Sequence, residues 1–322
     1  MGYERGASLA TLRHRAAMLN AIRAFFAARG VLEVETPALS PAAVTDPAVE
    51  SVVANARALQ PQLHYLQTSP EFAMKRLLAA GSGDIFQLCR VFRDDELGRW
   101  HQPEFTMLEW YRVGWDEQRL MSEVAELVAA ALAVTARAAA PRTVRLSYAQ
   151  ALDAALGALP EAPTGDLVRR LVAKGIDVPP GLAHDGVLDL AFATVVLASF
   201  DPAALTLVYD YPASQAALAR VKPTTPPVAA RFEAFSGGIE LANGFHELKD
   251  AIEQRRRFAS ERERRLANGQ HTSPLDEPLL HALASLPDCA GVALGFDRLV
   301  ALATGEDSVA AAMSFAHGRR AD

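Results

Sequence analysis

The chain has 322 residues, half of them hydrophobic and 22% charged, with a formal net charge of −6. That composition excludes a disordered chain, and its acidic balance argues against a tight, sequence-independent nucleic-acid binder. Two cysteines, Cys89 and Cys289, lack metal-ligand or redox spacing and read as reduced packing thiols of a cytosolic protein. No basic-then-apolar leader opens the chain, and no apolar run reaches the roughly 18 residues that a membrane span needs. The expectation is a cytoplasmic protein with no membrane partner.

Residues 8–29 read as an amphipathic helix, with Ser8 as cap, apolar residues from Leu9 to Phe26 at helical spacing, and Gly30 as terminator. "VLEVETPAL" alternates as a strand until Pro37. "TSPEFAMKRLLAAG" reads as a helix capped by Thr68 or Ser69, with Pro70 in its first turn and Gly81 at its end. "DIFQLCRVFR" and "PEFTMLEWYR" are strand-like and joined by a polar loop, which makes a long hairpin. Residues 116–140 are Ala/Leu/Val-rich and helical, and helical patterns continue to about residue 200. This stretch carries few chemically active residues and reads as an insertion. "LTLVYDYP" is a strand and "KPTTPP" a loop. "RFEAFSGGIELANGFHEL" reads as two strands around Gly237 and Gly238; a charged helix and then "GVALGFDRLVALATG", strand into helix, complete the pattern. Antiparallel pairs without regular βαβ alternation predict an α+β fold, an antiparallel sheet flanked by helices.

The hairpin carries the chemistry. Residues two apart in a strand share a face, so Phe105, Met107, Glu109 and Tyr111 line one side and Thr106, Leu108 and Trp110 the other. The second set is an ordinary buried face. The first offers a ring to stack a flat base, and a carboxylate beside a phenol to hold an ammonium group. Arg93, at the loop, can grip a phosphate or carboxylate with its planar fork. Taken singly, Arg93 and Glu109 also fit a surface hairpin laced with ion pairs. No Ser/His/Asp order or phosphate-binding P-loop competes.

"VFRDDELGRWHQPEFTMLEWY" resembles motif two of the class II aminoacyl-tRNA synthetases, "GVLEVETPAL" their motif one, and "GVALGFDRLVAL" their motif three. "TSPEFAMKRLL", "TMLEWY" and "GIELANGFHEL" resemble the lysine-specific branch. Motif one begins near residue 30, which leaves no room before it for the anticodon-binding OB-fold of lysyl-tRNA synthetases. The short form is similar to the elongation factor P lysine ligases, paralogues that attach a lysine-type amino acid to a lysine of elongation factor P. The resemblance implies one class II catalytic domain over residues 1–322 with a mainly helical insertion at about 116–200, and a homodimer. It makes tRNA an unlikely partner.

It also implies roles. Arg93 would hold the ATP α-phosphate and the amino-acid carboxylate, and Arg298 would cover the adenine and γ-phosphate; these two are the catalytic candidates. Asp94, Asp95, His101, Gln102 and Phe105 would meet the nucleotide, with Asp95 on the adenine amino group and Phe105 stacked on the ring. Leu241 would offer backbone contact and Gly295 close approach. Glu233 and Glu240 would hold Mg²⁺, a hard cation suited to hard oxygen ligands. Ser69, Pro70, Glu71, Glu109, Tyr111, Ala242, Asn243, Phe245 and Glu247 would form the amino-acid pocket. Its carboxylates offset buried ammonium charge.

Parity places Asn243, Phe245 and Glu247 on one strand face with Glu240 off by one, so a bulge is expected near residues 242–244. His246 points away from Glu247 and reads as structural. Ala242 stands where lysyl-tRNA synthetases typically carry Gly; its methyl is expected to favour β-lysine over α-lysine. Rival readings are a minimal lysyl-tRNA synthetase, a ligase acting on a small-molecule amine, and a non-catalytic paralogue that only binds.

Overall fold

The computed structural model describes residues 3–60, 63–135 and 141–318. Strand β1 (Tyr3–Arg5) precedes helix α1 (Leu9–Ala27), which Ser8 caps by accepting from the Thr11 N–H at 3.1 Å. Short strands β2 (Leu32–Glu33), β3 (Leu39–Ser40), β4 (Val53–Asn55) and β5 (Leu63–Leu66) follow, then α2 (Glu71–Ala79), β6 (Ile85–Phe92), β7 (Glu104–Val113) and α3 (Glu117–Ala133). Next come β8 (Arg142–Ser147), α4 (Tyr148–Leu156), α5 (Thr164–Ala173), α6 (His184–Ala191) and β9 (Ala204–Pro212). The chain continues through β10 (Val221–Lys222), β11 (Val228–Ser236), β12 (Ile239–His246), α7 (Ala251–Ala267), α8 (Glu277–Ala282), β13 (Cys289–Gly295), α9 (Phe296–Thr304) and β14 (Phe315–His317).

The main sheet runs β2-β6-β7-β13-β12-β11-β9-β8, with β10 paired to β11. Its centre is antiparallel and its two end pairs, β2–β6 and β8–β9, are parallel. This is the α+β sheet expected from the sequence. One face packs on α1, α3 and α9 through a core that includes Phe26, Trp110, Leu120, Val124 and Leu299. Phe26 stacks on Phe86 with centroids 4.4 Å apart. Among the described residues, no helix is long and apolar enough to cross a membrane.

Three expectations about elements change. "VLEVETPAL" contributes only two residues to the main sheet, Leu32 and Glu33, paired parallel to Ile85 and Phe86. The Val34 N–H still donates to the Phe86 carbonyl at 2.9 Å, and Pro37, which has no N–H, can add no further bond of this kind. The helix expected over 116–140 spans Glu117–Ala133, and residues 136–140 lie outside the described residues. It packs in the main core rather than with the helices that follow. Residues 142–147 form a strand where helix was expected. Parallel pairing of β8 with β9 demands a long crossover, and α4–α6 supply it. These helices pack against β9 and β11 through a second core containing Tyr148, Leu152, Leu167, Val208 and Phe235.

Candidate active site

One cavity of about 480 Å³ opens over the central strands of the sheet, on the face opposite the α1–α3 core. The two-residue period of β7 divides it as parity requires. Leu108 and Trp110 are buried in the core, while Phe105, Met107, Glu109 and Tyr111 line the cavity.

At the floor, Ser69 Oγ donates to Glu109 Oε2 at 2.6 Å and the Tyr111 hydroxyl donates to Glu109 Oε1 at 2.7 Å. Ser69 Oγ also accepts from the Glu71 N–H at 3.0 Å, which ties the start of α2 to this network. Glu71 and Glu247 complete a group of three carboxylates. Burial, and the charge of Glu71, hold Glu109 well above the usual carboxylate range. Burial likewise raises Glu247, against the pull of Lys75. The Lys75 ammonium, only 2% exposed, sits 2.5 Å from Glu71 Oε1 and 2.6 Å from Glu247 Oε2. Sequence reasoning missed this cation. Gly291 makes the crowding possible, since a Cβ there would stand 2.2 Å from the Tyr111 ring and 2.6 Å from Glu247 Oε1.

At the other end, Arg93 lies over the Phe105 ring at 5.2 Å, reaches Glu96 at 3.6 Å and donates weakly to the Thr68 carbonyl at 3.4 Å. Arg298 is fixed on every nitrogen: Nε donates to Trp100 O at 3.1 Å, Nη1 to Glu240 O at 2.8 Å, and Nη2 meets His101 Nε2 at 2.9 Å. Burial and the Arg298 charge lower the His101 pKa, so the neutral imidazole accepts here. Asp297 anchors this end of α9: its Oδ2 accepts from the Thr106 N–H at 2.6 Å, and its Oδ1 from Arg15 at 2.5 Å. That anchoring directs Arg298 into the cavity, and Asp297 was not singled out from the sequence. Gly295 lines the cavity; a Cβ there meets only the flexible Arg298 chain at 3.6 Å.

Between the ends stand Glu233 and Glu240. Glu233 accepts from the Tyr211 hydroxyl at 2.7 Å and from Arg231, a cavity arginine that the sequence reading passed over. Arg231 also donates to Asn243 Oδ1 at 3.3 Å. Enclosure and the neighbouring Glu233 charge raise the pKa of Glu240, while Arg298 and Arg231 oppose the shift. Two crowded hard-oxygen donors suit a hard divalent cation. Phe245 and Glu247 follow Asn243 on the same face.

The bulge lies at Leu241, earlier than expected. Ala234 pairs with Ala242 and Phe235 with Glu240, which leaves Leu241 unpaired. The extra residue brings Glu240 onto the face of Asn243 and turns Leu241 and Ala242 into the core. The Ala242 assignment is therefore corrected: its methyl faces away from the cavity. The strand methyl that does line it belongs to Ala293. Ala242→Gly should lower stability by about 1–2 kcal/mol, from lost methyl burial and added chain entropy. The ratio of α-lysine to β-lysine use should not move. Thermal denaturation, with adenylate formation on each isomer, checks both halves.

Other placements also change. Asp94 and Asp95 are exposed and outside the cavity. Asp95 adopts φ of 60°, a region Asp tolerates better than most residues, and Glu96 takes the cavity position beside Arg93. Pro70 precedes α2 without lining the cavity. Gln102 reaches the wall, but its Oε1 accepts from the His317 N–H at 2.9 Å. His246 stands on the opposite face from Glu247, between Glu117 at 3.5 Å and Asp288 at 3.2 Å, in the structural place expected of it.

The model of the family "tRNA synthetases class II (D, K and N)" matches residues 2–319. Similar relatives carry the name elongation factor P–(R)-β-lysine ligase. The protein from Pseudoalteromonas translucida is 47% identical over 319 residues, 96% of each chain. That from Vibrio atlanticus is 45% identical over 316 residues, 95% of each chain. That from Vibrio cholerae is 46% identical over 311 residues, 94% of each chain.

Proposed function

The chain belongs to the class II tRNA synthetase family of the D, K and N type, and from that membership we propose that it activates (R)-β-lysine with ATP and transfers it to a lysine side chain of elongation factor P. The chain is an ATP-dependent, amide-forming ligase by family and by its relatives' names. The observation that carries the substrate reading is the group of half-buried Glu71 and fully buried Glu109 and Glu247, in the same cavity as Arg93, Phe105 and Arg298. Buried carboxylates need cations, and a diamino acid supplies them.

In the first step, the amino-acid carboxylate attacks the α-phosphorus and pyrophosphate leaves, giving an aminoacyl-adenylate. In the second, the acceptor amine attacks the activated carbonyl, AMP leaves, and the amide forms with loss of a proton. Neither step needs an enzyme nucleophile. Arg93 would bridge the reacting carboxylate and α-phosphate, Phe105 would stack the adenine, and Arg298 would cover its other face and the γ-phosphate. Glu96, which lines the cavity beside Arg93, would meet the adenine amino group in place of Asp95. Glu233 and Glu240 would hold Mg²⁺, which would offset phosphate charge. Ser69 and Tyr111 would keep Glu109 oriented for an ammonium group. The reading makes the whole chain one catalytic unit, cytoplasmic, with no tRNA partner.

Pyrophosphate exchange with (R)-β-lysine, α-lysine and methionine tests the activation step. Exchange should depend on a diamino acid and be fastest with β-lysine. Exchange with methionine alone, or with none, would remove the reading and favour a binding-only paralogue.

The proposed assembly is a homodimer. Apolar residues of α1 such as Met18, Ile22 and Phe26 are buried within the chain, while Leu9 at its start is exposed. Among the exposed apolar residues, Leu32, Leu39, Val53 and Leu63 fall together on strands β2 to β5. A self-complementary two-fold contact would cover them. Light scattering at micromolar protein should give twice the chain mass, and a Leu32→Asp variant should shift it toward the monomer. A monomeric parent would reject the dimer.

A further inference from the structure

Lys75 does not line the cavity, but its buried ammonium lies behind the wall against two of the pocket's carboxylates, Glu71 and Glu247, and no step of the proposed reaction uses it. It leaves α2 one turn after Glu71, and Met74 and Leu78 of that helix belong to the apolar cluster with Leu279 and Leu280 of α8. Acting on it are Glu71 from its own helix, Glu247 beyond the end of β12 with His246 behind it, and Cys289 from β13 near Asp288, while Glu109 and Tyr111 of β7 stand on the far side of Glu71 and Glu247. Its ammonium touches Glu71 and Glu247 and keeps its charge. An apolar side chain of similar length would pack here without desolvating a charge. The second Glu247 oxygen, Oε1, is fully buried and lacks a hydrogen-bond partner, in the space that Gly291 keeps open.

Ionised, Glu71, Glu109 and Glu247 carry three negative charges in a desolvated space. Lys75 offsets one. Two remain, and a lysine-type amino acid brings two ammonium groups. We propose that Lys75 is a positioning residue that matches the pocket's charge to a diamino acid, by occupying the gap between Glu71 and Glu247 and leaving Glu109 and Glu247 Oε1 to the substrate. The proposal rests on the ligase reading above. Without Lys75 the third charge is uncompensated, and the carboxylates, already raised by burial, hold their protons to still higher pH and ionise less readily for an incoming diamino acid. A pocket that has lost one carboxylate but keeps Lys75 is under-charged by one.

The test uses Lys75→Met, Glu71→Gln and the double variant, with KM for amino acid and for ATP measured in pyrophosphate exchange. Lys75→Met should raise the amino-acid KM at least about tenfold near pH 7 and progressively less toward pH 9, with the ATP KM within about twofold. The decisive comparison is of sign. In the Glu71→Gln background the pocket keeps one net negative charge, and adding Lys75→Met restores two. The double variant should therefore bind the amino acid better than Glu71→Gln alone, by about threefold or more. This comparison stands even if the single Lys75→Met protein does not fold. A double variant no better than Glu71→Gln overturns the proposal, as does a Lys75→Met protein whose two KM values rise together with an unchanged pH profile. Parent protein that exchanges with diamino acids while these outcomes fail loses only the role of Lys75. Parent protein that exchanges with no amino acid loses that role together with the ligase reading.

Discussion

Arg93→Lys should reduce adenylate formation by on the order of 10²–10³-fold while the fold survives, the scale seen when one preorganised donor to a developing charge is lost. Arg93 sits where the polar and aromatic halves of the cavity meet, over Phe105 and beside Glu96. Its contacts within the chain are long: 3.4 Å to a carbonyl and 3.6 Å to a carboxylate. The guanidinium is thus positioned but weakly engaged, unlike Arg298, whose three nitrogens are all occupied at 3.1 Å or less. A lysine at 93 keeps the charge but is a point donor that cannot bridge carboxylate and phosphate in one plane. The loss should fall on kcat more than on either KM, because the bridge tightens as the two anions react. Pyrophosphate exchange on protein of parent-like thermal stability measures it, and activity within a few-fold of the parent would end the bridging role.

Glu247→Gln should weaken amino-acid binding by about 3 kcal/mol, on the order of 10²-fold, by analogy with other broken buried charge pairs. ATP binding should change far less. Glu247 is 1% exposed, so water cannot replace the missing charge. The variant also leaves Lys75 paired with Glu71 alone, and the freed ammonium then repels the incoming one. Calorimetry with each ligand separates the two effects, and equal losses for ATP and amino acid would reject the assignment. Some loss of stability accompanies either result, since a buried pair is broken.

Much of the site could be read along the chain because strand parity is local. The β6–β7 hairpin announces its two faces by alternation, and the split between Trp110 and Glu109 follows from it. The bulge was implied by the odd spacing of Glu240 and Asn243. Its place at Leu241 was not, because no glycine marks it and only the pairing of β11 with β12 fixes which residue is extra. Asp95 failed for a backbone reason: a positive φ at that residue turns its side chain out and Glu96 inward. Lys75 was hidden because Glu71 and Lys75, four apart on a helix, look like an ordinary exposed pair. Only the fold brings Glu247, far along the chain, to the same ammonium. Strand β8 was hidden because it is a half-exposed edge with two apolar residues, Val144 and Leu146, inside an Ala-rich helical stretch.

If one cavity activates a β-lysine and delivers it to a protein amine, as proposed, a transfer experiment must show the product on protein. The most direct measurement offers the enzyme ATP and radiolabelled (R)-β-lysine, with purified elongation factor P and bulk tRNA as competing acceptors. The label should appear on elongation factor P, survive alkali that cleaves esters, and vanish when the acceptor lysines are replaced. Label on tRNA instead, or exchange without transfer to elongation factor P, would contradict the account.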